Sequence, residues 1–240
     1  MKILAFDSSA VIASVALCDG ERLLAEYTLN NGNTHSETLL PMAEAILGAS
    51  DMTVDDVDLF AVAAGPGSFT GVRIGAATVK GLAFSTEKPC IGVSTLEALA
   101  YNLNVLDGIV VPVMNARRVQ VYTAIFRFAV GVPTRLMEDA AIAITELDER
   151  LTVYNEPVYL VGDGYGVTTP VLTHAIRPVP ERLRHQSAYS VAQVARIAYE
   201  NGVHTTDKEL APTYLRLSQA ERERAEREKR ERGEGPEYTV

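Results

Sequence analysis

The chain has 240 residues, 47% of them apolar, and a formal net charge of −9. This excludes a disordered chain and leaves room for one large or two small domains, while the acidic balance offers no broad basic face for gripping RNA or DNA alone. Cys18 and Cys90 lie in apolar runs and read as buried thiols of a reducing compartment, and there is no signal-peptide core or membrane-length apolar run, so the expected location is the cytoplasm.

In chain order, residues 2–6, 11–17 and 23–29 read as three strands of an antiparallel meander, the first ending at Asp7-Ser8-Ser9 and the second at the turn Cys18-Asp19-Gly20. A helix is predicted over 36–49, where Leu39, Leu40, Ala43, Ile46 and Leu47 recur at helical spacing. Pro41 is tolerable near a first turn, where its missing N–H matters least. A buried strand is predicted over 59–64, then a glycine-rich turn, then a helix over 72–85 that is apolar on two faces, Val72/Ala76/Val79/Ala83 and Ile74/Ala77/Gly81/Phe84. A helix of that kind needs burial on more than one side. A short strand over 89–93 follows, and Ser94 or Thr95 caps a helix through Leu103.

The turn Gly65-Pro66-Gly67-Ser68-Phe69-Thr70-Gly71 has three readings. A glycine-rich turn at a helix N-terminus can cradle phosphate, although Gly65, Gly67 and Gly71 miss the dinucleotide spacing by one residue and no glycine stands directly before a Lys-Ser/Thr pair. It can instead be a tight strand-to-helix turn whose glycines let another backbone come close, or part of a helix-on-helix docking surface.

The pattern restarts in the second half. Residues 109–114 form an apolar strand ending at Asn115, and residues 119–128 return, echoing the opening of the chain. A strand over 158–161, the turn Gly162-Asp163-Gly164, a proline-bearing stretch and a helix over 187–200 follow. A repeated unit of three strands, helix, strand, helix, strand and helix is the actin-like ATPase architecture: an α/β fold of two lobes, here over 1–105 and a shortened 106–217, with the last segment able to pack back on the first lobe. Residues 221–232 carry five acids and six bases and read as a solvated, fraying helix in a charged tail from 218.

Chemistry is sparse. His35, His174, His185 and His204 show no helical metal-pair spacing, so neither a metal nor a cofactor is expected. Asp7 ends the first strand, where a carboxylate can meet a nucleotide's metal; with Ser8 and Ser9 it is the weak candidate for nucleotide contact, against the reading of an Asp that only accepts turn hydrogen bonds. Its counterpart Asn115 is not a carboxylate. Arg117 and Arg118 either hold a phosphate or are exposed turn residues.

The motif GPGSFTGVRIGAATVKGLAF, the opening ILAFDSS, NTHSETLLP, MNARRVQVY, the GDG turn and PTYLR together resemble the TsaB (YeaZ) family from Met1 to about residue 215. The resemblance implies a non-catalytic subunit of the bacterial machinery that makes threonylcarbamoyladenosine at position 37 of ANN-decoding tRNAs. It implies pairing with the catalytic paralogue TsaD, a further ATPase subunit TsaE, a homodimer when TsaD is absent, and tRNA contact only through the complex. On this reading the partner surface is drawn from His35, Leu39, Leu40, Met42, Ala43 and Ile46 on the first helix and Phe69, Thr70, Arg73, Ile74, Ala77, Lys80 and Gly81 on the second. Asn115 departs from the family's usual Asp. The rival readings are an independent actin-like kinase or ATPase, which needs a catalytic acid in the second half, and a metallopeptidase, which needs closely spaced histidines.

Overall fold

The computed structural model describes residues 1–32 and 34–216; the charged stretch 221–232 and the tail from 218 lie outside the described residues. The first half runs β1 (Lys2–Asp7), β2 (Ala13–Asp19), β3 (Arg22–Leu29), α1 (His35–Ala49), β4 (Leu59–Ala63), α2 (Phe69–Thr86), β5 (Cys90–Val93) and α3 (Thr95–Tyr101). The second runs β6 (Gly108–Asn115), β7 (Gln120–Ala129), β8 (Val132–Ala143), α4 (Ile144–Leu151), β9 (Val158–Val161), α5 (Tyr165–Thr168), β10 (Ile176–Arg177) and α6 (Ala188–Glu200).

Among the described residues the strands form two five-stranded sheets, β3-β2-β1-β4-β5 and β10-β9-β6-β7-β8. The two orders are the same when the halves are matched strand for strand. In each, a meander supplies antiparallel pairs and later strands add in parallel, which requires crossover helices. This is the duplicated actin-like α/β arrangement. The second copy is reduced where α5, four residues, stands in the place of α2, eighteen residues.

Alternation along the strands builds the layers. Leu4 and Phe6 of β1 face a core shared with Leu39, Met42, Ala43 and Ile46 of α1 and Val79 and Ala83 of α2. Ile3 and Ala5 face the other way, onto Ala188, Val191, Ala192 and Ala195 of α6. In the second sheet, Val110 and Met114 meet Leu96, Leu99 and Ala100 of α3, and Ile109, Val111 and Val113 meet Ile144, Leu147 and Leu151 of α4. The last helix of the second half thus covers the first sheet, and the last helix of the first half covers the second. An ion network adds to this join: Arg135 on β8 donates to Glu97 of α3 at 2.7 Å and to Asp139 at 2.6 Å, and Ser94 donates to Asp139 at 2.6 Å.

Three local readings change. α2 begins at Phe69, because Ser68 is its cap, so Phe69 and Thr70 lie in the helix. α1 begins at His35 with Pro41 inside it, beyond the first turn, where its ring removes one ladder hydrogen bond. β8, α4 and β10 fill stretches for which the sequence suggested no individual element.

Candidate functional site

The glycine turn connects the end of β4 to α2 through a cis Gly65-Pro66 peptide. Ser68 Oγ accepts from the Gly71 N–H at 3.3 Å, the Ser68 N–H donates to Ser9 O at 2.7 Å, and Ser8 Oγ donates to Gly71 O at 2.9 Å. The 8–9 backbone therefore lies directly on the first turns of α2. A Cβ at Gly67 would sit 2.4 Å from Ser9 O, at Gly71 2.0 Å from Ser8 O, and at Gly75 2.6 Å from Ser8 Oγ. Of the three readings, close backbone approach is the one these distances support. Gly71→Ala gains helix propensity of about 1 kcal/mol, yet is expected to lower stability by about 1–3 kcal/mol through overpacking. Urea denaturation checks this, and a neutral or stabilising result would show that the contact gives way.

Beside this turn a cleft of about 610 Å³ opens between the lobes, lined by Ser9, Ser68, Thr70, Asn115, Arg117 and Asp163 among others. Behind Ser9, Asp7 is buried and accepts from the Ser9 N–H at 2.9 Å and Ser9 Oγ at 2.6 Å. Burial pushes its carboxyl from 3.8 up to about 6, against the opposing pull of the Ser9 hydrogen bonds and His35. Burial also raises Asp163, which accepts from the Asn115 N–H at 3.3 Å. Ser8 and Ser9 are buried and both hydroxyls are engaged. Arg117 and Arg118 are exposed and, with Val119, have positive φ of 61°, 53° and 59°. Asn115 Oδ1 accepts from the Arg117 N–H at 2.8 Å, so Asn115 acts here as a turn-former. Among the described residues no group of three or more His, Cys, Asp or Glu is placed to hold a metal. His35 donates from Nε2 to Ala10 O at 2.7 Å, the His174 N–H donates to Asp148, His185 O accepts from Asn102, and His204 stacks edge-on with Tyr199.

The residues assigned to partner binding divide sharply. Leu39, Met42, Ala43 and Ile46 are 1–4% exposed in the core beneath α1. Their stripe packs against the chain's own sheet. Leu40 points outward at 51% exposure and borders a groove of about 400 Å³ between α1 and α2, with Ala43, Glu44, Leu47, Met52 and Leu82. On α2, Thr70, Arg73, Ala77 and Gly81 are exposed, as is Phe84 at 71%, while Phe69, Ile74 and Lys80 are half-buried, as is His35 on α1.

Three of these residues are also held by a segment that sequence reasoning did not connect to them. After α6 the chain returns over α2: Lys80 Nζ donates to Leu210 O at 3.0 Å, and the Thr213 N–H donates to Ala64 O at 2.7 Å. Tyr214 stacks on Phe69 with centroids 4.7 Å apart, Arg73 Nε donates to its hydroxyl at 2.8 Å, and Arg216 donates to Ala116 O in the second lobe at 2.7 Å. The PTYLR motif was the available signal, but it did not reveal its contacts.

Two lobes with matching sheets and a cleft between them define an actin-like α/β fold, and Leu40, Ala77, Gly81 and Phe84 are exposed on α1 and α2 beside it. The family model described as TsaD, tRNA N6-adenosine threonylcarbamoyltransferase, matches residues 22–224. The tRNA threonylcarbamoyladenosine biosynthesis protein TsaB of Bacillus subtilis is 32% identical over 92% of this chain and 96% of its own length, and that of Escherichia coli 40% identical over 52% and 54%. YeaZ from Pseudomonas aeruginosa superposes with a TM-score of 0.78 at 27% identity, covering 89% of this chain and 99% of its own. The chain belongs to the TsaB family.

Proposed function

We propose that this chain is an accessory subunit of tRNA threonylcarbamoyladenosine synthesis, non-catalytic on its own, that activates a TsaD-type paralogue by pairing with it through the outer faces of α1 and α2. The exposed stripe Ala77, Gly81 and Phe84, beside Leu40 and the apolar groove, is the observation that carries this reading. Contiguous apolar surface of this kind marks association sites. The match to the TsaD model runs through α1 and α2, which supports a paralogue with a corresponding helix pair, so that like faces can cover one another. Threonylcarbamoyl transfer to adenosine 37 of ANN-decoding tRNAs then belongs to the paralogue, with a TsaE-type ATPase in the larger assembly and tRNA held by the complex. In the absence of the paralogue the same face supports a homodimer. The engaged Ser8 and Ser9 hydroxyls and the turn-forming Asn115 support the non-catalytic assignment.

Co-expression with the TsaD-type paralogue of the same genome tests the reading. A stable heterodimer and tRNA modification that requires both chains are expected; modification by the paralogue alone at full rate, or no complex, would overturn it. Gly81 gives a finer test. It lies inside α2, and a methyl group added there would meet nothing within 4 Å, so its own chain gives no reason for a residue that costs a helix about 0.5–1 kcal/mol relative to alanine. Gly81→Ala is expected to stabilise the isolated chain by about that amount and to weaken pairing, as read by thermal melting and titration calorimetry.

A further inference from the structure

The strap 210–216 is built into α2 at several points. Leu210 is buried in the first-lobe core. Gly65 is in direct backbone contact with Thr213, whose carbonyl oxygen would lie 2.3 Å from a Cβ there. Tyr214 is 42% exposed, its ring lies on Phe69, and its hydroxyl accepts from Arg73 at 2.8 Å. The Arg73 guanidinium also lies over the Phe69 ring, 3.8 Å from the centroid. Arg73, Ala77 and Gly81 are spaced four apart and so share one stripe of α2. The strap therefore places an aromatic ring at the end of that stripe and fixes the direction of its one long side chain.

We infer that Tyr214 is a positioning residue of the docking face, holding Arg73 and Phe69 in the arrangement that meets the TsaD-type paralogue; this rests on the pairing proposed above. The physical gain is preorganisation. An arginine on a free helix surface must be ordered when a partner arrives, and one already hydrogen-bonded and stacked needs less ordering. Tyr214 acts through Arg73, so the two residues must be energetically coupled in binding, whereas a strap that merely filled space would show no such coupling.

The test is a double-mutant cycle on affinity for the purified paralogue, by titration calorimetry, with Tyr214→Ala, Arg73→Ala and the pair. Tyr214→Ala is expected to weaken pairing about tenfold, on the scale of ordering one long side chain at an interface. The double variant should lose little more than either single one. Tyr214→Phe, which keeps the stack and loses the hydroxyl, should fall between wild type and Tyr214→Ala, and it carries the cycle if Tyr214→Ala does not fold. Wild-type affinity in Tyr214→Ala, or fully additive losses, would overturn the inference. If Ala77→Glu abolishes pairing while Tyr214→Ala leaves it unchanged, the docking face stands and this inference alone falls. If the wild-type chain binds no paralogue, both fall.

Discussion

Ala77→Glu is expected to abolish pairing with the TsaD-type paralogue while leaving the isolated chain folded. Ala77 is exposed on α2 between Arg73 and Gly81, so a glutamate there reaches solvent in the free chain. Glutamate is a good helix former, and surface changes of this kind usually stay within about 0.5 kcal/mol. If this face is the interface, the carboxylate loses its water on pairing, and the Arg73 guanidinium one turn away is already committed to Tyr214 and Phe69. A buried charge without a partner costs about 3–5 kcal/mol, or roughly two to four orders of magnitude in dissociation constant. Calorimetry on the pair and melting of the free variant read the two parts separately. Pairing at wild-type affinity would show that this face is not the interface; a large drop in melting temperature would contradict the exposed position of Ala77.

Asp7→Asn should change how stability depends on pH. Burial raises the Asp7 carboxyl from 3.8 to about 6. Between those values the native chain keeps a proton that the unfolded chain has released, so stability falls as pH rises through the window and levels off above about 6. At 1.36 kcal/mol per unit the loss is about 3 kcal/mol. Asparagine can still accept from the Ser9 N–H and hydroxyl and carries no charge, so the variant should lack this slope and gain on the wild type above pH 6. Urea denaturation at several pH values between 4 and 8 measures the difference. Parallel curves for the two proteins would show that Asp7 is not the group held protonated.

Much of the fold was legible because local periodicity reports it directly. The run 59–64 followed by glycines and a doubly apolar helix specified strand, turn and helix, and the echo of the opening strands after residue 108 specified a duplicated α/β protein. β8 escaped because its side chains are only partly buried along its length, so neither alternation nor an unbroken apolar run stands out. The network of Arg135 with Glu97 and Asp139 joins residues from different lobes, and no local pattern encodes such a meeting.

The proposed docking face shows the same division. The spacing of Leu39, Leu40, Ala43, Ile46 and Leu47 specified a helix with an apolar stripe. It could not say that one sheet would consume Leu39, Met42, Ala43 and Ile46 and leave Leu40 outside, since that depends on the rotation of α1 against β1 and β2. For α2 the sequence carried more, because two apolar faces on one helix exceed what one sheet can cover, and Val72/Ala76/Val79/Ala83 are buried while Ala77, Gly81 and Phe84 are exposed. Tyr214 and Arg73 are 141 positions apart. Sequence by itself determined the elements, their repetition and the surplus of apolar helix surface, since these follow from neighbours three, four or two residues away. Only the tertiary structure decided which surplus stays uncovered and which distant side chain holds it in place, because these depend on where long-range packing brings the chain back on itself.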